Sequence, residues 1–447
     1  MSVPPYPKYK PSGVEWLGDV PEHWSGKPLK EVATHNDDVL DERTDPDYEL
    51  LYVDISSVDG LDGIRIKEAM TFANAPSRAR RRVQSGDVIV STVRTYLRAI
   101  AQVRHAEPNL VVSTGFAVVR PRACLFSDFL GYLIPASFFI EMVIARSTGV
   151  SYPAINAADL VGIKVPVPPL AEQTQIAAFL DRETGKIDEL VAEQRRLIEL
   201  LKEKRQAVIS HAVTRGLNPN APTKHTGIQW LGNIPEHWEV GAIKYFVLQK
   251  NGAIKTGPFG SQLTSAEMQS GSIKVYNQRS VIDCDFESGD NFITDAKFAD
   301  LAGFEAFPGD LLVTTRGTIG RAEILPDNAE RGILHPCLLR LQPDNSRINT
   351  VFIKTLIQDS NLMRTQLSYL SNATTIDVIY SNTIASVIVP VPPIEEQGEI
   401  LKFLDAETAK LDALTAEAER AIELLQERRT ALISSAVTGK IDVRNAV

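Results

Sequence analysis

The chain contains two segments twice, and this duplication constrains its fold more than any other feature. Trp16–Trp24 (WLGDVPEHW) recurs 214 residues later as Trp230–Trp238 (WLGNIPEHW), with seven of nine positions identical. The proline-rich run Val165–Pro169 returns 224 residues later as Val389–Pro393, and the similarity then continues for more than forty residues. Long-period repeats indicate repeated structural units, so we predict a shared block, a private domain and a shared helix, followed by the same three parts again.

Each shared segment after the proline-rich run has the pattern of a long amphipathic helix. From about Ala171 to Val213, apolar residues recur three and four positions apart with charges between them. The prolines form an extended lead-in, and Gly216 and Gly439 follow the two helix ends. Roughly 40 residues make a rod of about 60 Å, which needs a partner for its apolar stripe.

The duplication favours packing of the two rods on each other as an antiparallel coiled coil with pseudo-two-fold symmetry. Two alternatives remain open: each helix packs only on its own domain, or the helices pair two separate chains. The predicted helix-pair interface consists of Ile176, Leu180, Ile187, Leu190, Ile198, Leu201, Ile400, Leu404, Leu411, Leu414, Ile422 and Leu425.

The two private domains are predicted to be mixed α/β. Short β-branched runs at Asp87–Ser91, Val111–Thr114 and Asp310–Thr314 lie between Gly, Pro and Asp residues, and helices are expected near 126–145 and 349–367. The order of the strands does not follow from these patterns. The predicted boundaries are 1–25 and 217–239 for the shared blocks, 26–164 and 240–388 for the private domains, 165–216 and 389–442 for the helices, and 443–447 for the tail.

The charge balance argues against a general polyanion-binding surface. The chain has 47 basic and 56 acidic residues and a net charge of -9, so any nucleic-acid surface must be local. Arg78–Arg82 is a dense basic cluster, Ser91–Arg98 follows a predicted strand, and Lys255–Gln262 is a Gly-rich loop. Because Arg, Asn and Gln read base edges while Thr and backbone amides hold phosphates, such loops suit readout of the major groove. The alternative is that these groups are solvated or paired with carboxylates.

The candidate DNA-contacting residues come from both private domains. We align the loop Thr315–Gly320 of the second domain with Val93–Arg98 of the first, which makes Arg316 the predicted equivalent of Arg94. The candidates are Arg78, Arg80, Arg81, Arg82, Thr92, Arg94, Tyr96, Arg98, Ser151, Tyr152, Lys255, Thr256, Gly257, Phe259, Gly260, Gln262, Gln278, Arg279, Thr315, Arg316 and Thr374.

We found no sequence motif for catalysis, a cofactor or a metal, and therefore predict none of these sites. Nucleotide-binding glycine loops, the Asn-Pro-Pro-[Tyr/Phe] motif of adenine methyltransferases and Glu-x-Lys are absent. His335 and Cys337 lack further ligands and are interpreted as core residues, and Cys124 and Cys284 form no Cys-x-x-Cys pair. The N-terminus lacks an apolar signal core and no run reaches about 18 apolar residues, so a cytoplasmic location is expected.

The duplicated block, the Val-Pro-x-Pro-Pro-x-x-Glu-Gln entry to a long helix, the loop Thr256–Ser261 and the two-copy layout together resemble the specificity subunit of type I restriction-modification enzymes. The resemblance covers nearly the whole chain, although the private domains match only in islands. A related restriction class with the same layout is not separated from it by sequence.

The resemblance implies two target-recognition domains, each reading one half of a split, asymmetric DNA site. Two long antiparallel helices would set the distance between the halves. Two methylation subunits carrying S-adenosylmethionine would dock on the helices, and two motor-nuclease subunits carrying ATP and magnesium would join them. The chain itself would be a non-catalytic adaptor. The alternatives are an interaction scaffold that does not bind DNA and a self-sufficient nuclease or methylase, which the absent motifs disfavour.

Overall fold

The computed structural model describes residues 3–14, 16–60, 63–149, 152–360, 362–363, 365–366 and 378–446. The chain divides into two compact units, the first formed by Met1–Arg195 with Glu419–Val447 and the second by Arg196–Ala418. Each unit therefore contains one repeated block, one private domain and half of each long helix.

The private domain of the first unit is built on two four-stranded sheets. The sheet orders are β11-β10-β13-β4 and β8-β5-β12-β9, with β5 and β12 parallel. The strands of this unit are β1 Tyr9–Pro11, β2 Asp19–Pro21, β3 Ser25–Pro28, β4 Ala33–His35, β5 Glu49–Val53, β6 Val58–Asp59, β7 Gly63–Ile64, β8 Glu68–Thr71, β9 Ala79–Arg82, β10 Val88–Ser91, β11 Ile100–Gln102, β12 Leu110–Ser113, β13 Phe116–Pro121 and β14 Lys164–Val167.

The second unit repeats this topology with different residues. Its sheets run β18-β25-β22-β23 and β20-β19-β24-β21, with β19 and β24 parallel, which matches the first unit strand for strand. The strands are β15 Thr223–His225, β16 Asn233–Pro235, β17 Glu239–Ala242, β18 Ile254–Thr256, β19 Ile273–Tyr276, β20 Phe292–Ile293, β21 Glu305–Ala306, β22 Leu311–Thr314, β23 Ala322–Ile324, β24 Gly332–Leu334, β25 Leu338–Leu341 and β26 Ile388–Val391. The duplication therefore includes the private domains.

Two long helices dominate the helical content, as the sequence pattern predicts. We call Leu170–Arg215 the first long helix and Ile394–Val437 the second long helix. Each follows a proline-containing strand, β14 or β26, and each ends next to a glycine with a positive φ, 76° at Gly216 and 74° at Gly439. The shorter helices are Leu29–Val32, Ser127–Leu133, Ser137–Arg146, Ala157–Val161, Gln278–Ile282, Asp295–Leu301, Thr350–Lys354 and Ser381–Ser386.

Within each unit the two long helices pack antiparallel on each other and on the private domain. In the first unit, Ile176 and Leu180 from the start of the first long helix share a core with Ile433 and Val437 from the end of the second. In the second unit, residues from the opposite ends, such as Ile209 and Leu404, do the same. The mixed α/β domains and the antiparallel helices predicted from the sequence are confirmed.

The same ion pair joins the helices in both units. Arg429 Nε lies 2.9 Å from Asp188 Oδ1 in the first unit, and Arg205 Nε lies 3.1 Å from Asp412 Oδ1 in the second. Each residue of one pair lies 224 positions from its counterpart in the other. The internal repeat therefore extends to individual contacts between the helices.

The seam of each long helix follows the alternating four- and three-residue spacing of a coiled coil. Buried or half-buried positions are Leu180, Thr184, Ile187, Val191, Gln194, Ile198 and Leu201 in the first long helix, and Leu404, Thr408, Leu411, Thr415, Ala418, Ile422 and Leu425 in the second. Ile176 and Ile400, also predicted at the interface, are fully buried in the cores of their units.

Two predicted interface residues are wrong. Leu190 is 44% exposed and its counterpart Leu414 is 48% exposed. The seam continues instead through Val191 and Thr415, because a four-residue step follows Ile187 and Leu411. At about 100° per residue, Leu190 and Leu414 lie six residues, and therefore about 120° around the helix, from the seam residues Thr184 and Thr408, whereas Val191 and Thr415 lie seven residues and only about 20° from them.

Each repeated block is held to a long helix by a glutamate, which is buried in the first unit and half-buried in the second. Glu172 Oε1 accepts a hydrogen bond from Trp24 Nε1 at 3.1 Å, and its Oε2 lies 2.7 Å from His23 Nε2. In the second unit, Trp238 and His237 make the same two contacts to the carboxylate of Glu396. This arrangement explains why both tryptophan-containing blocks and both glutamates recur together in the sequence.

The next residue, a fully buried glutamine, attaches each long helix to its private domain. Gln173 Oε1 accepts from the backbone N–H of Phe126 at 2.7 Å, and its Nε2 donates to the carbonyls of Cys124 and Pro168 at 3.1 and 2.9 Å. Gln397 accepts from the N–H of Asn349 and donates to two carbonyls in the same way. One carboxamide thus satisfies three main-chain groups in each unit.

Among the described residues, no single helix has the length and apolar composition needed to cross a membrane. One bent pair, Ser127–Leu133 with Ser137–Arg146, meets those criteria by length and composition alone.

We predict that Gln173→Ala lowers the free energy of unfolding, since it leaves buried main-chain groups without partners. Each group left without a partner costs about 1–3 kcal/mol. Gln175→Ala, at an exposed position two residues further along the helix, is the matched control and should change stability little. Equilibrium denaturation of both variants measures the difference. Equal stabilities would show that water replaces the lost carboxamide.

Candidate nucleic-acid interface

In both units an exposed loop leaves the end of a central strand and is fixed there by the same main-chain contacts. After β10, the N–H and Oγ1 of Thr92 donate to the carbonyl of Gly115 at 2.8 and 2.9 Å. After β22, the N–H and Oγ1 of Thr315 both donate to the carbonyl of Cys337 at 2.9 Å. The two threonines therefore occupy equivalent positions, with hydroxyls that already serve the fold.

The return segments pair with these loops in the same way. Ile155 N–H donates to Thr92 O, and Ile379 N–H donates to Thr315 O, both at 2.9 Å. Isolated bridges join Val93 to Ala154 in the first unit and Arg316 to Val378 in the second.

The equivalence predicted from sequence between the loops is therefore wrong by one residue. Arg316 occupies the position of Val93, and Gly317 occupies that of Arg94. Both Arg94 and Gly317 have a positive φ, 50° and 63°. Sequence comparison favours aligning the two arginines, whereas the hydrogen bonds place them at successive positions of the loop.

The surface of the first unit centres on Arg94. Its guanidinium lies over the ring of Tyr152, 5.1 Å from the ring centroid, and Tyr152 is 66% exposed. Tyr96 and Arg98 lie in the same loop and are also exposed. Ser151, a further candidate, lies outside the described residues.

The basic cluster Arg78–Arg82 only partly joins this surface. The carbonyl of Arg78 accepts from Thr114 N–H, next to the loop anchor, while its Nη2 lies 3.1 Å from Asp54 Oδ2. Arg80 packs over the ring of Phe72 at 4.6 Å, and Arg82 Nη1 lies 4.0 Å from Asp38. These arginines are largely engaged with their own domain.

Of the four arginines in the Arg78–Arg82 cluster, Arg81 is the least available for contact with DNA. Burial lowers the pKa of its guanidinium, and its Nη1 has no hydrogen-bond partner among the described residues. It lies opposite Val112 in the β9–β12 ladder. Arg81 is therefore a partly buried residue of the edge strand β9.

The surface of the second unit combines three segments. A methyl group placed on Gly317 would lie 3.3 Å from Gln278 Nε2, so the Gln278 side chain lies against the loop. A methyl group on Gly257 would collide with the carbonyl oxygen of His335. Gly257, Gln278, Thr315 and Arg316 are thus brought together around His335.

Other candidates of the second unit lie around this surface. Phe259 is 77% exposed, and the adjacent Gly260 is exposed as well. Gln262 Oε1 accepts from Phe259 N–H at 3.0 Å, which closes the turn. Lys255 and Thr256 are half-buried, with Lys255 Nζ 4.7 Å from the centroid of the Phe304 ring.

Two candidates of the second unit are not placed on the loop cluster. Arg279 Nε lies 3.0 Å from Asp283 Oδ2 along one short helix, in an exposed ion pair. Thr374 lies outside the described residues. The structure therefore gathers the candidates unevenly, with the strongest clustering around Arg94 and around Arg316.

A buried aspartate lies directly before each of the strands β10 and β22, which lead into the loops. Asp87 is 1% exposed and accepts from Arg120 Nε and Nη2 at 2.8 and 2.7 Å, which raises the pKa of Arg120. Asp310 accepts from Gln342 Nε2 at 2.7 Å and from Phe307 N–H at 2.9 Å. Burial raises the pKa of Asp310 and outweighs the opposite effect of these two hydrogen bonds.

The exposed groups at these surfaces include hydrogen-bond donors, aromatic rings and glycines, which suit recognition of a polyanion and its base edges. Among the described residues, no group of three or more His, Cys, Asp or Glu side chains is arranged to hold a metal ion.

Comparisons with known proteins agree with this geometry. The family model "Type I restriction modification DNA specificity domain" matches residues 22–200 and 238–424. The putative type I restriction enzyme MjaX specificity subunit of Methanocaldococcus jannaschii is 21% identical over 442 residues, 96% of each chain. The EcoKI specificity subunit of Escherichia coli K12 is 21% identical over 331 residues, 72% of this chain and 68% of that one.

Two solved structures share the fold. The HsdS subunit from Thermoanaerobacter tengcongensis has a TM-score of 0.52 at 22% identity and covers 94% of this chain and 98% of its own. The second structure comes from work on complex assembly and conformational transition of the type I R-M system. It has a TM-score of 0.69 at 23% identity, and the match covers 94% of this chain and 99% of the other. The resemblance found in the sequence is confirmed: the chain belongs to the family of type I restriction-modification specificity subunits, which determine DNA target recognition.

Proposed function

We propose that each unit reads one half of a bipartite, asymmetric duplex site, and that the chain contributes recognition without chemistry of its own. The observation that carries this proposal is the presence of different exposed side chains on the same scaffold. Arg94 stacked on Tyr152 characterises one loop surface, and Gln278 with Arg316 characterises the other. Equivalent loops with unlike side chains suit the reading of unlike half-sites.

The chemistry of these side chains matches base readout. Arginine pairs bidentately with O6 and N7 of guanine, and glutamine pairs with N6 and N7 of adenine. The ring of Tyr152 restrains the guanidinium of Arg94, which reduces the entropy lost on binding. The acidic composition of the chain is compatible with this role, since the reading groups are confined to two loop clusters.

The long helices are proposed to set the unread spacer and to dock partner subunits. Each long helix begins in one unit and ends in the other, and its seam has coiled-coil spacing. Apolar side chains outside that seam remain exposed, which supports a further protein partner. They are Leu190 at 44%, Leu197 at 42%, Leu200 at 51%, Leu414 at 48% and Leu424 at 59%.

The proposed partners are two methylation subunits, which supply S-adenosylmethionine chemistry, and two restriction subunits, which supply ATP- and magnesium-dependent translocation and cleavage. The chain would hold none of these cofactors. Because its target is the host and invading DNA inside the cell, we propose that it acts in the cytoplasm.

Replacing Arg316 with Ala should relax one base position in one half-site only, at a cost of about 1–3 kcal/mol if it reads a guanine. Arg94→Ala is the matched control and should relax the other half-site. Both are measured by methylation of a randomised duplex library by the complex with methylation subunits. Uniform losses across all sequences would indicate phosphate contacts, and an absence of salt-dependent DNA binding would favour the scaffold alternative.

Inserting one heptad into both long helices, after Arg195 and after Ala418, should lengthen the unread spacer. Seven residues add about 10 Å, close to three base pairs, and preserve the seam. Sequencing of modified bases in cells expressing the variant reads the spacer directly. The same insertion in one helix alone misaligns the seam and should reduce stability without producing a new spacer; an unchanged spacer in the double variant would refute the ruler.

Leu200→Gln and its counterpart Leu424→Gln should each weaken binding of a methylation subunit by roughly tenfold, since each removes about half of a buried leucine's transfer free energy. Lys202→Gln, exposed on the same turn as Leu200, is the control. Titration calorimetry with the purified methylation subunit gives the affinities. Equal affinities for all three variants would place the docking surface elsewhere.

A further inference from the structure

His335 lies at the centre of the second loop surface and has a tightly defined backbone. It follows β24, and its N–H donates to Tyr276 O at 2.8 Å, which extends the β19–β24 ladder by one residue. Its carbonyl accepts from Leu338 N–H at 2.9 Å and lies directly against Gly257. The imidazole therefore projects from a backbone that is held on both sides.

The hydrogen bonds of the ring define its tautomer. His335 Nδ1 accepts from the backbone N–H of Cys337 at 3.2 Å, so the proton of the neutral ring is on Nε2. Burial, with a smaller contribution from Arg316, lowers the pKa of His335, and the ring is therefore neutral near pH 7. Among the described residues, Nε2 has no hydrogen-bond partner.

The neighbours of His335 are the groups best placed to contact DNA in this unit. Arg316 is exposed and close enough to influence the charge state of the ring, and Gln278 lies against the adjacent Gly317. His335 is half-buried, and Nε2 is not among the described side-chain atoms that are both buried and without a hydrogen-bond partner, so this nitrogen is accessible to solvent.

The equivalent residue of the first unit is Ser113, because Val111 in β12 and Ile333 in β24 face corresponding residues of the parallel partner strands. Ser113 is 1% exposed, and its Oγ accepts from Gly115 N–H at 3.3 Å. The first unit thus buries a satisfied hydroxyl where the second presents a free donor. This difference distinguishes the two surfaces.

We propose that His335 is a specificity-determining residue of the second unit, with Nε2–H donating to an acceptor on a base edge next to the base read by Arg316. This inference rests on the proposed function. In the major groove, N7 and O6 of guanine, N7 of adenine and O4 of thymine can accept this hydrogen bond. Cytosine presents its N4 amino group there and cannot, so His335 rejects cytosine at one position.

Two substitutions separate base reading from a structural role. In His335→Asn, the amide oxygen can still accept from Cys337 N–H, but no donor reaches the position of Nε2. In His335→Gln, the terminal amide reaches that position but is less suited to the Cys337 contact. If His335 is structural, loss of the contact to Cys337 N–H matters most. If His335 reads a base, loss of the donor at the Nε2 position matters most.

The experiment uses the full chain with its methylation subunits and duplexes randomised in both half-sites, with the methylated fraction sequenced. We expect His335→Asn to lose about ten- to a hundredfold of the discrimination against cytosine at one position of one half-site. His335→Gln should retain most of it, and the other half-site should be unchanged. Thermal unfolding of both variants near that of the parent chain confirms that they are folded.

Several outcomes would overturn the inference. They are unchanged discrimination in His335→Asn, an equal loss in both variants, or a uniform loss at all sequences, which indicates a phosphate contact. If the parent complex selects no bipartite sequence, the proposed function fails and this inference fails with it. If the parent selects such a sequence and His335→Asn selects it equally well, only the role of His335 is refuted.

Discussion

Each unit depends on the contacts of two successive polar side chains at the start of a long helix, a glutamate and a fully buried glutamine. The carboxamides of Gln173 and Gln397 each bond three main-chain groups, two of them from the private domain. The preceding glutamates, Glu172 and Glu396, accept from the tryptophans of the repeated blocks. Domain, block and helix therefore meet at one dipeptide. Since the glutamine cannot leave without unpairing buried main-chain groups, the orientation of the helix relative to the domain of its own unit is fixed.

The helices could be predicted from sequence because their information is local and periodic. The proline lead-in, the terminal glycines and the three- and four-residue spacing define their ends and their apolar face. The assignment of Leu190 and Leu414 to the seam is wrong because an amphipathic pattern accepts apolar residues at both the third and the fourth position after a seam residue. A leucine that lies off the seam therefore fits the pattern equally well. Only the partner helix distinguishes the two. The common strand order of the private domains was not predictable, since it depends on pairings between distant segments.

The loop surfaces were predicted in part. Residue type identified the loops containing Arg94 and Arg316, but the one-residue offset between them follows from main-chain hydrogen bonds that leave no trace in composition. For the Arg78–Arg82 cluster, DNA contact stays a prediction, and the structure shows which of its side chains have partners within the domain. A run of cations suggests a polyanion site, whereas Asp54, Asp38 and Phe72 engage three of these side chains within the domain. The sequence favours a core residue at His335, because His335 and Cys337 lack the further ligands of a metal site, and the loop neighbours Gly257 and Arg316 are distant in sequence.

The anchoring of each loop by main-chain atoms has a consequence for how such a protein diversifies. The bonds from Thr92 and Thr315 to facing carbonyls, and from the return segments to the loops, involve few side chains. Point mutations between the anchors therefore alter the chemistry of the loop while its path persists. New sequence preferences become accessible in single steps, without passing through misfolded ancestors, and the two copies are free to drift apart under separate selection.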